Sequence, residues 1–405
     1  MKPRERVLTA LDHREPDRVP IDLSAHPSSG IAAMAYPRLR KALDLPPKPI
    51  RVYDMVQQIA VVHEDVLDKL GADAIELGRG FCRDEDYWED WTLPDGTPCQ
   101  VPAWSIPERE EGRWVLKSDS GRVIAAMPDD SIYFEQTYWP FLDNEGPDTI
   151  EGAFDECMWT VLEHPPGPWV EGEELAEGAR RLRERSDRAI TGIFGGNLLE
   201  MGQFLYRNDH FFTLLAAEPD RAERVLDDLV NHYMPALENY LSLVGEHIDI
   251  IQFGDDLGMQ NGPLISPEMY QRFFKPRHEK MWRRAKELAD VKVMLHSCGD
   301  IRPFLPDLID AGLDIVNPVQ IACPGMDAAG LKRDFGDDMV FWGGGCDTQT
   351  VLSRRSPEQV KAHVKEQVET LRPGGGFVFQ QVHNIVDNVP TENVMAMYEA
   401  LHEVA

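Results

Sequence analysis

The feature that most constrains this chain is an alternation. Short runs rich in aliphatic and β-branched residues recur along it, each separated from the next by a longer stretch of helical periodicity. Two parallel strands need a long crossover between them, so this alternation is the mark of parallel βαβ units. Eight such runs are present: Val19–Leu23, Ala72–Leu77, Arg188–Phe194, Asp249–Gly254, Val291–Leu295, Leu313–Pro318, Met339–Trp342 and Gly376–Val382. Helical patterns at Pro219–Val244, Ser266–Leu288, Ile301–Asp310 and Ser356–Leu371 lie between them, with starts and stops such as Ser266-Pro267 and Pro373-Gly374. Eight strands alternating with helices close a (β/α)8 barrel, so the expected fold is an α/β TIM-type barrel. The 405 residues are read as a single domain over 1–405 that carries one insertion.

That insertion is expected after the second run, over residues 82–165, where the alternation breaks. Trp88, Trp91, Trp104, Trp114 and Trp139 accompany turn signals at Pro94-Asp95-Gly96 and Asp119-Ser120-Gly121. Arg113–Lys117 and Arg122–Ala126 flank the second turn as a hairpin. The tryptophans have two readings: apolar area that lets a small β-layer fold, or a lining for substrate.

In a TIM-type barrel the chemistry sits at the C-terminal ends of the strands and on the loops that follow. Polar residues fall at those places here: Ser24 and His26 after the first run, Asp255 and Asp256 after the fourth, and His296 and Cys298 after the fifth. Asn317 and Gln320 come with the sixth, Cys346 and Asp347 after the seventh, and His383 and Asn384 after the eighth. His296 and Cys298 are two apart at a strand end, so they face one side together and can share a metal ion. Cys346, which follows three glycines that allow close backbone approach, is the expected third ligand. Taken singly, each of these residues also has a plain packing role open to it.

Composition removes several classes of partner. Seventy acidic against 41 basic residues give a net charge of −29, a field that repels nucleic acid and anionic membrane surfaces. No run approaches the ~18 apolar residues of a membrane span, and the N-terminal segment is charged and amphipathic without a secretory core, so a cytoplasmic location is expected. Six cysteines without a CxxC pair are too few for a disulfide framework and are expected as thiols or ligands.

Several motifs converge on one superfamily. They are Arg4–Leu11 with Pro16–Pro20, Phe253–Gln260 followed by Gly262–Pro267, His296–Gly299, Gly343–Gln349, and Pro373–Gly376 with Pro390–Asn393. Together, and over nearly the whole chain, they resemble the uroporphyrinogen decarboxylase superfamily. That resemblance implies a (β/α)8 barrel and either of two chemistries: metal-free decarboxylation of a tetrapyrrole, or zinc-dependent methyl transfer to or from a corrinoid (cobalamin).

The decarboxylase pattern is largely missing. Its arginine-rich clamp after the first strand corresponds to Leu23–Gly30, which has no arginine. The place of its catalytic aspartate falls near Arg79-Gly80, and that of a tyrosine on Gln203; only a histidine, His383, is kept. The methyltransferase branch resembles this chain through a His-x-Cys pair plus a later Cys, matched by His296, Cys298 and Cys346. The resemblance thus implies Zn²⁺ on these three, with an open fourth position for a small-molecule substrate. Asp255, Asp256 and His383 are the expected catalytic groups, and Asn317, Gln320, Asp347 and His26 the expected substrate wall and outer support. No cobalamin-binding domain is visible, so the corrinoid is expected free or on a separate carrier protein. A decarboxylase using Asp255, Asp256 and His383, and a non-catalytic tetrapyrrole- or corrinoid-binding protein, stay open as alternatives.

Overall fold

The computed structural model describes residues 1–80, 87–129, 131–143, 146–158 and 172–404. Its centre is a seven-stranded, all-parallel sheet: β1 (Ala74–Glu76), β2 (Ala189–Gly195), β3 (Ile250–Gly254), β4 (Lys292–His296), β5 (Ile315–Asn317), β6 (Val340–Trp342) and β7 (Phe377–Val378). Each strand pairs with its neighbour in sequence, so the sheet curls in strict order from β1 to β7 as the wall of a TIM-like barrel.

The first expected strand, Val19–Leu23, is reduced to a single bridging residue. Ile21 bridges Phe379 in parallel, Asp22 N–H donates to Phe379 O (2.8 Å), Phe379 N–H to Pro20 O (2.8 Å), and Asp73 N–H to Ile21 O (2.7 Å). Hydrogen bonds therefore run across the gap between β7 and β1. Pro20 has no N–H to give, which keeps this segment from becoming a longer ladder strand.

Strand parity sorts the side chains. Ala74, Ala189, Ile250, Met294, Ile315, Val340, Trp342 and Val378 form one small apolar cluster inside the barrel, joined by Val7 and Leu11 of the helix Pro3–Leu11. That helix covers the N-terminal ends of the strands, where Gly376 N–H donates to Ala10 O (2.8 Å) and Arg4 N–H to Asp187 O (2.8 Å). The outward faces of the strands pack under the helices. Pro219–Val244, for example, buries Leu226, Leu229, Val230, Tyr233, Leu237, Tyr240 and Leu241 at helical spacing, each contributing about 1.5–3 kcal/mol relative to exposure. Ser356 caps Pro357–Leu371 through a capping box with Gln359. None of the described helices is long and apolar enough to cross a membrane.

Between β1 and β2 lies the β-rich insertion. Trp88–Thr92 pairs with Pro98–Pro102, and a four-stranded antiparallel sheet runs Glu108–Glu110, Arg113–Lys117, Val123–Met127, Glu135–Gln136. The expected hairpin around Asp119-Ser120-Gly121 forms. Trp91 and Trp114 meet edge to face at 5.2 Å, and Arg109 and Arg51 stack over Trp114 and Trp88 at 5.0 Å. These contacts are those of a small layer holding itself together. Cys82 and Pro165, at the expected ends of the insertion, lie outside the described residues.

Candidate metal centre

β4 ends at His296, and the chain then turns through Ser297, Cys298 and Gly299. Every backbone N–H of that turn is held: Ser297 N–H donates to Asn317 O (2.6 Å), Cys298 N–H to Asp256 Oδ1 (2.7 Å) and Gly299 N–H to Gln320 Oε1 (2.8 Å). Gly299 has φ 87°, and a Cβ there would lie 2.3 Å from Gly258 C, so only glycine fits. The locked turn brings His296 Nε2 to 3.6 Å from Cys298 Sγ. Two ligands of one tetrahedral zinc stand roughly 3.5 Å apart, given bonds of about 2.0–2.3 Å. A third donor comes from the loop after β7: His383 joins them, the three ligand atoms lying within 4.8 Å of one another. His383 has a left-handed backbone (φ 62°), which histidine tolerates better than most residues, and its ring meets His296 at 5.6 Å between centroids.

The protonation state of His296 follows from its neighbours. Asn317 Nδ2 donates to Trp342 O (2.9 Å), an atom that can only accept, and to Gln380 Oε1 (2.6 Å). Asn317 Oδ1 therefore faces His296 Nδ1 at 3.0 Å, which must carry the proton. Nε2 is left with its lone pair toward Cys298 and His383, the tautomer a metal ligand needs. Burial lowers the pKa of His296, against an opposing pull from Asp256, and lowers that of His383 to about 3, helped by His296 and His26. Burial, then Asp256 and Glu200, hold the Cys298 thiol well above its ordinary value. A divalent cation is what would reverse that and make the sulfur a thiolate, so donor types, spacing and tautomer fit Zn²⁺.

Around this group sit three carboxylates with different tasks. Asp255 is fully buried and accepts from Leu199 N–H (3.0 Å) and Glu200 N–H (2.9 Å), capping the helix Leu199–Tyr206, with His278 Nε2 3.3 Å away. It supports the wall from behind. Asp256, 35 % exposed, stands with Oδ1 3.8 Å from His296 Nε2 while holding Cys298 N–H. Glu200 accepts from Asn197 Nδ2 (2.6 Å) and from the Asp256 N–H; burial first, then Asp256 and Asp255, raise its pKa well above the ordinary range.

The other expected residues divide. Gln320 holds the Cys298 turn and donates to Gln260 Oε1 (3.0 Å). His26, fully buried, lies 3.2 Å from Asp22 and accepts from Ser28 N–H, so it shapes the loop after Ile21. Asp347 caps the turn Thr348–Leu352. Asn384 accepts from Gly30 N–H (2.7 Å) and ties two loops together. Cys346, expected as the third ligand, is not among the residues placed to share a metal ion, which are His296, Cys298 and His383. Its residue bridges Gln381, its thiol is buried with Sγ 3.9 Å from Asp347 O, and burial holds its pKa far above the usual thiol range. His383 of the loop after β7, not the soft donor after β6, comes close to His296 and Cys298. Sequence reasoning missed Glu200 and Ser28, whose Oγ is 3.4 Å from His296 Nε2. Their only signals were a Gly195-Gly196-Asn197 turn after an apolar run and the small polar loop after Ile21.

The family model described as uroporphyrinogen decarboxylase (URO-D) matches residues 141–404. The uroporphyrinogen decarboxylase of Alkalilimnicola ehrlichii is 25% identical over 284 residues, covering 65% of this chain and 71% of that protein. That of Legionella pneumophila is 23% identical over 279 residues, covering 65% and 73%. Among solved structures, a methyltransferase from Methanosarcina mazei shares the fold with a TM-score of 0.58 at 18% identity, covering 100% of this chain and 99% of that one.

Proposed function

Because the chain belongs to the uroporphyrinogen decarboxylase family, we propose that it is the methyl-transferring rather than the decarboxylating kind of member. On this reading it is a zinc-dependent methyltransferase that moves a methyl group between a small molecule and a corrinoid co-substrate, free or on a carrier protein. The observation that carries the reading is the convergence of His296, Cys298 and His383 within 4.8 Å, with the His296 tautomer fixed by Asn317. The full-length fold likeness to a methyltransferase motivates it but bears on fold alone. Bound zinc would supply a Lewis acid with an open position, able to ionise a thiol or polarise the leaving atom of a methyl donor. The chain's own residues do the rest. Asn317 orients one ligand, Asp256 and Gln320 hold the turn that carries another, and burial keeps His296 and His383 neutral and free to ligate.

The decarboxylase reading is favoured by the curated relatives at 23% and 25% identity. Against it, the loop after Ile21 offers His26, Ser28 and Ser29 where carboxylate-clamping arginines would be needed. Elemental analysis of protein purified without chelator, paired with an absorbance assay of corrinoid methylation state, tests the choice. The expected result is about one zinc per chain and a corrinoid spectrum that changes with turnover. Metal-free protein that decarboxylates a porphyrinogen would overturn it.

A further inference from the structure

His383 is held differently from His296. The His296 ring meets Asn317 through its second nitrogen, whereas among the described residues nothing hydrogen-bonds the His383 ring. A metal-bound imidazole is usually steered by a bond to its other nitrogen. Without one, the direction of the His383 ring is set by its backbone, which is left-handed at φ 62°. Such a conformation persists in a non-glycine residue only where its surroundings over-determine it. Both neighbours of His383 are pinned: Val382 N–H donates to Cys346 O (2.8 Å), Gly30 N–H to Asn384 Oδ1 (2.7 Å), and Ile385 N–H to Gly30 O (3.0 Å).

Asn384, 3 % exposed, begins a chain of side-chain hydrogen bonds. A backbone N–H can only donate, so the oxygen of Asn384 faces Gly30 and its Nδ2 donates to Gln57 Oε1 (3.1 Å). Gln57 Nε2 in turn donates to Asp54 Oδ2 (2.8 Å), while Gln57 N–H donates to Asp54 Oδ1 (2.9 Å). Both amides therefore have a single orientation, fixed by the Gly30 N–H at one end and the carboxylate at the other. Asp54 is buried, and burial pushes its pKa up to about 6. Closing its own turn would need only one acceptor, which asparagine supplies; accepting on both oxygens is what asparagine cannot do. The same segment is docked on the insertion, where Phe134 N–H donates to Val56 O (2.9 Å) and Gln58 Nε2 to Met127 Sδ (2.9 Å).

We propose that Asp54, Gln57 and Asn384 are positioning residues for His383: a polarised relay that ties the insertion to the third donor of the ligand group and holds that donor in its left-handed turn. That the donor binds metal rests on the zinc reading; the hold of the relay on the turn does not.

Two measurements on the full-length protein test it. Gln57→Leu removes both side-chain contacts of the middle amide and leaves every backbone bond in place. Zinc affinity, read by competition with a chromophoric chelator, should fall about tenfold, and in a His383→Ala background the same substitution should change it by less than about twofold. A merely structural Gln57 would lower both alike. The second measurement reverses the polarity of the relay and is read by amide hydrogen exchange of residues 382–386 at pH 8, where Asp54 is ionised. Asp54→Asn turns a donor toward Gln57 Nε2, and Asn384→Asp turns an acceptor toward Gln57 Oε1, so each alone should speed exchange about tenfold. The double variant carries its carboxylate at the other end, lets the Gln57 amide turn over, and should return exchange to within about twofold of wild type. The proposal is overturned if Gln57→Leu leaves zinc affinity unchanged, if it lowers affinity equally with and without His383, or if the double variant exchanges as fast as the single ones. If wild-type protein takes up no zinc, the zinc reading falls and exchange alone decides: rescue in the double variant supports the hold of the relay on the turn, and its absence overturns it.

Discussion

The two ends of the barrel use the same residue, aspartate, in opposite ways. At the N-terminal end, Asp73, Asp249 and Asp314 each precede a strand and accept the backbone N–H of a residue on the strand before it: Ile21 (2.9 Å), Ile190 (2.8 Å) and Val293 (2.8 Å). Each is also neutralised by cations. Arg6 and Arg18 bond Asp73, Arg4 and Arg183 bond Asp249, and Lys286 bonds Asp314. At the C-terminal end, Asp255, Asp256 and Glu200 also hold backbone N–H groups, but among the described residues no Arg or Lys answers them. The closed end uses its carboxylates for stability, whereas the open end leaves carboxylates without cationic partners, the division expected between the two faces of this fold.

The contrast can be broken most severely at the closed end. Asp73→Ala leaves Arg6, only 8 % exposed, without its buried partner and removes the anchor of Ile21. A loss of about 3–5 kcal/mol is expected in urea denaturation, while the fraction that stays folded should bind zinc normally. A loss of zinc affinity as large as the loss of stability would show that the two ends are not separate in role.

At the open end, the outer support should affect metal more than fold. Asn317→Leu removes the acceptor that fixes the His296 tautomer, and a roughly 10–100-fold drop in zinc affinity is expected by competition with a chromophoric chelator. Unchanged affinity would mean that the Asn317 contact does not set the tautomer. The smallest effect belongs to Asp255→Asn, which weakens the cap of Leu199–Tyr206 by about 1 kcal/mol. It should lower the melting temperature slightly and leave zinc content intact, since Asp255 touches the helix and not the ligand atoms.

Much of the fold was legible because apolar runs and helical periodicity are local properties. Seven of the eight runs overlap the strands β1 to β7, with ends shifted by one to a few residues. The eighth, Val19–Leu23, looked alike in hydropathy, yet its Pro20 and its tight bonding on both sides leave a one-residue bridge. The site was legible where it depends on one strand: His296 and Cys298 face together by parity alone. It was not legible where it depends on loops from different strands. Cys346 is the softer donor and the natural choice by chemistry, but its bridge to Gln381 keeps its thiol buried beside Asp347. His383 was expected at the mouth as a catalytic group, but its place as the third donor depends on a left-handed backbone turn that no hydropathy pattern encodes. Glu200 was hidden for the same reason, since its place depends on Asn197 filling the space above Gly254.

The identity of the third ligand is decided by the zinc stoichiometry of three proteins, read by elemental analysis. Wild type and Cys346→Ser should each hold about one zinc per chain, whereas His383→Ala should lose it on dialysis, with affinity down a hundredfold or more if a binding free energy of roughly 10–16 kcal/mol is shared among the ligands. Wild-type protein that takes up no zinc, or a His383→Ala protein that keeps it while Cys346→Ser does not, would contradict the account.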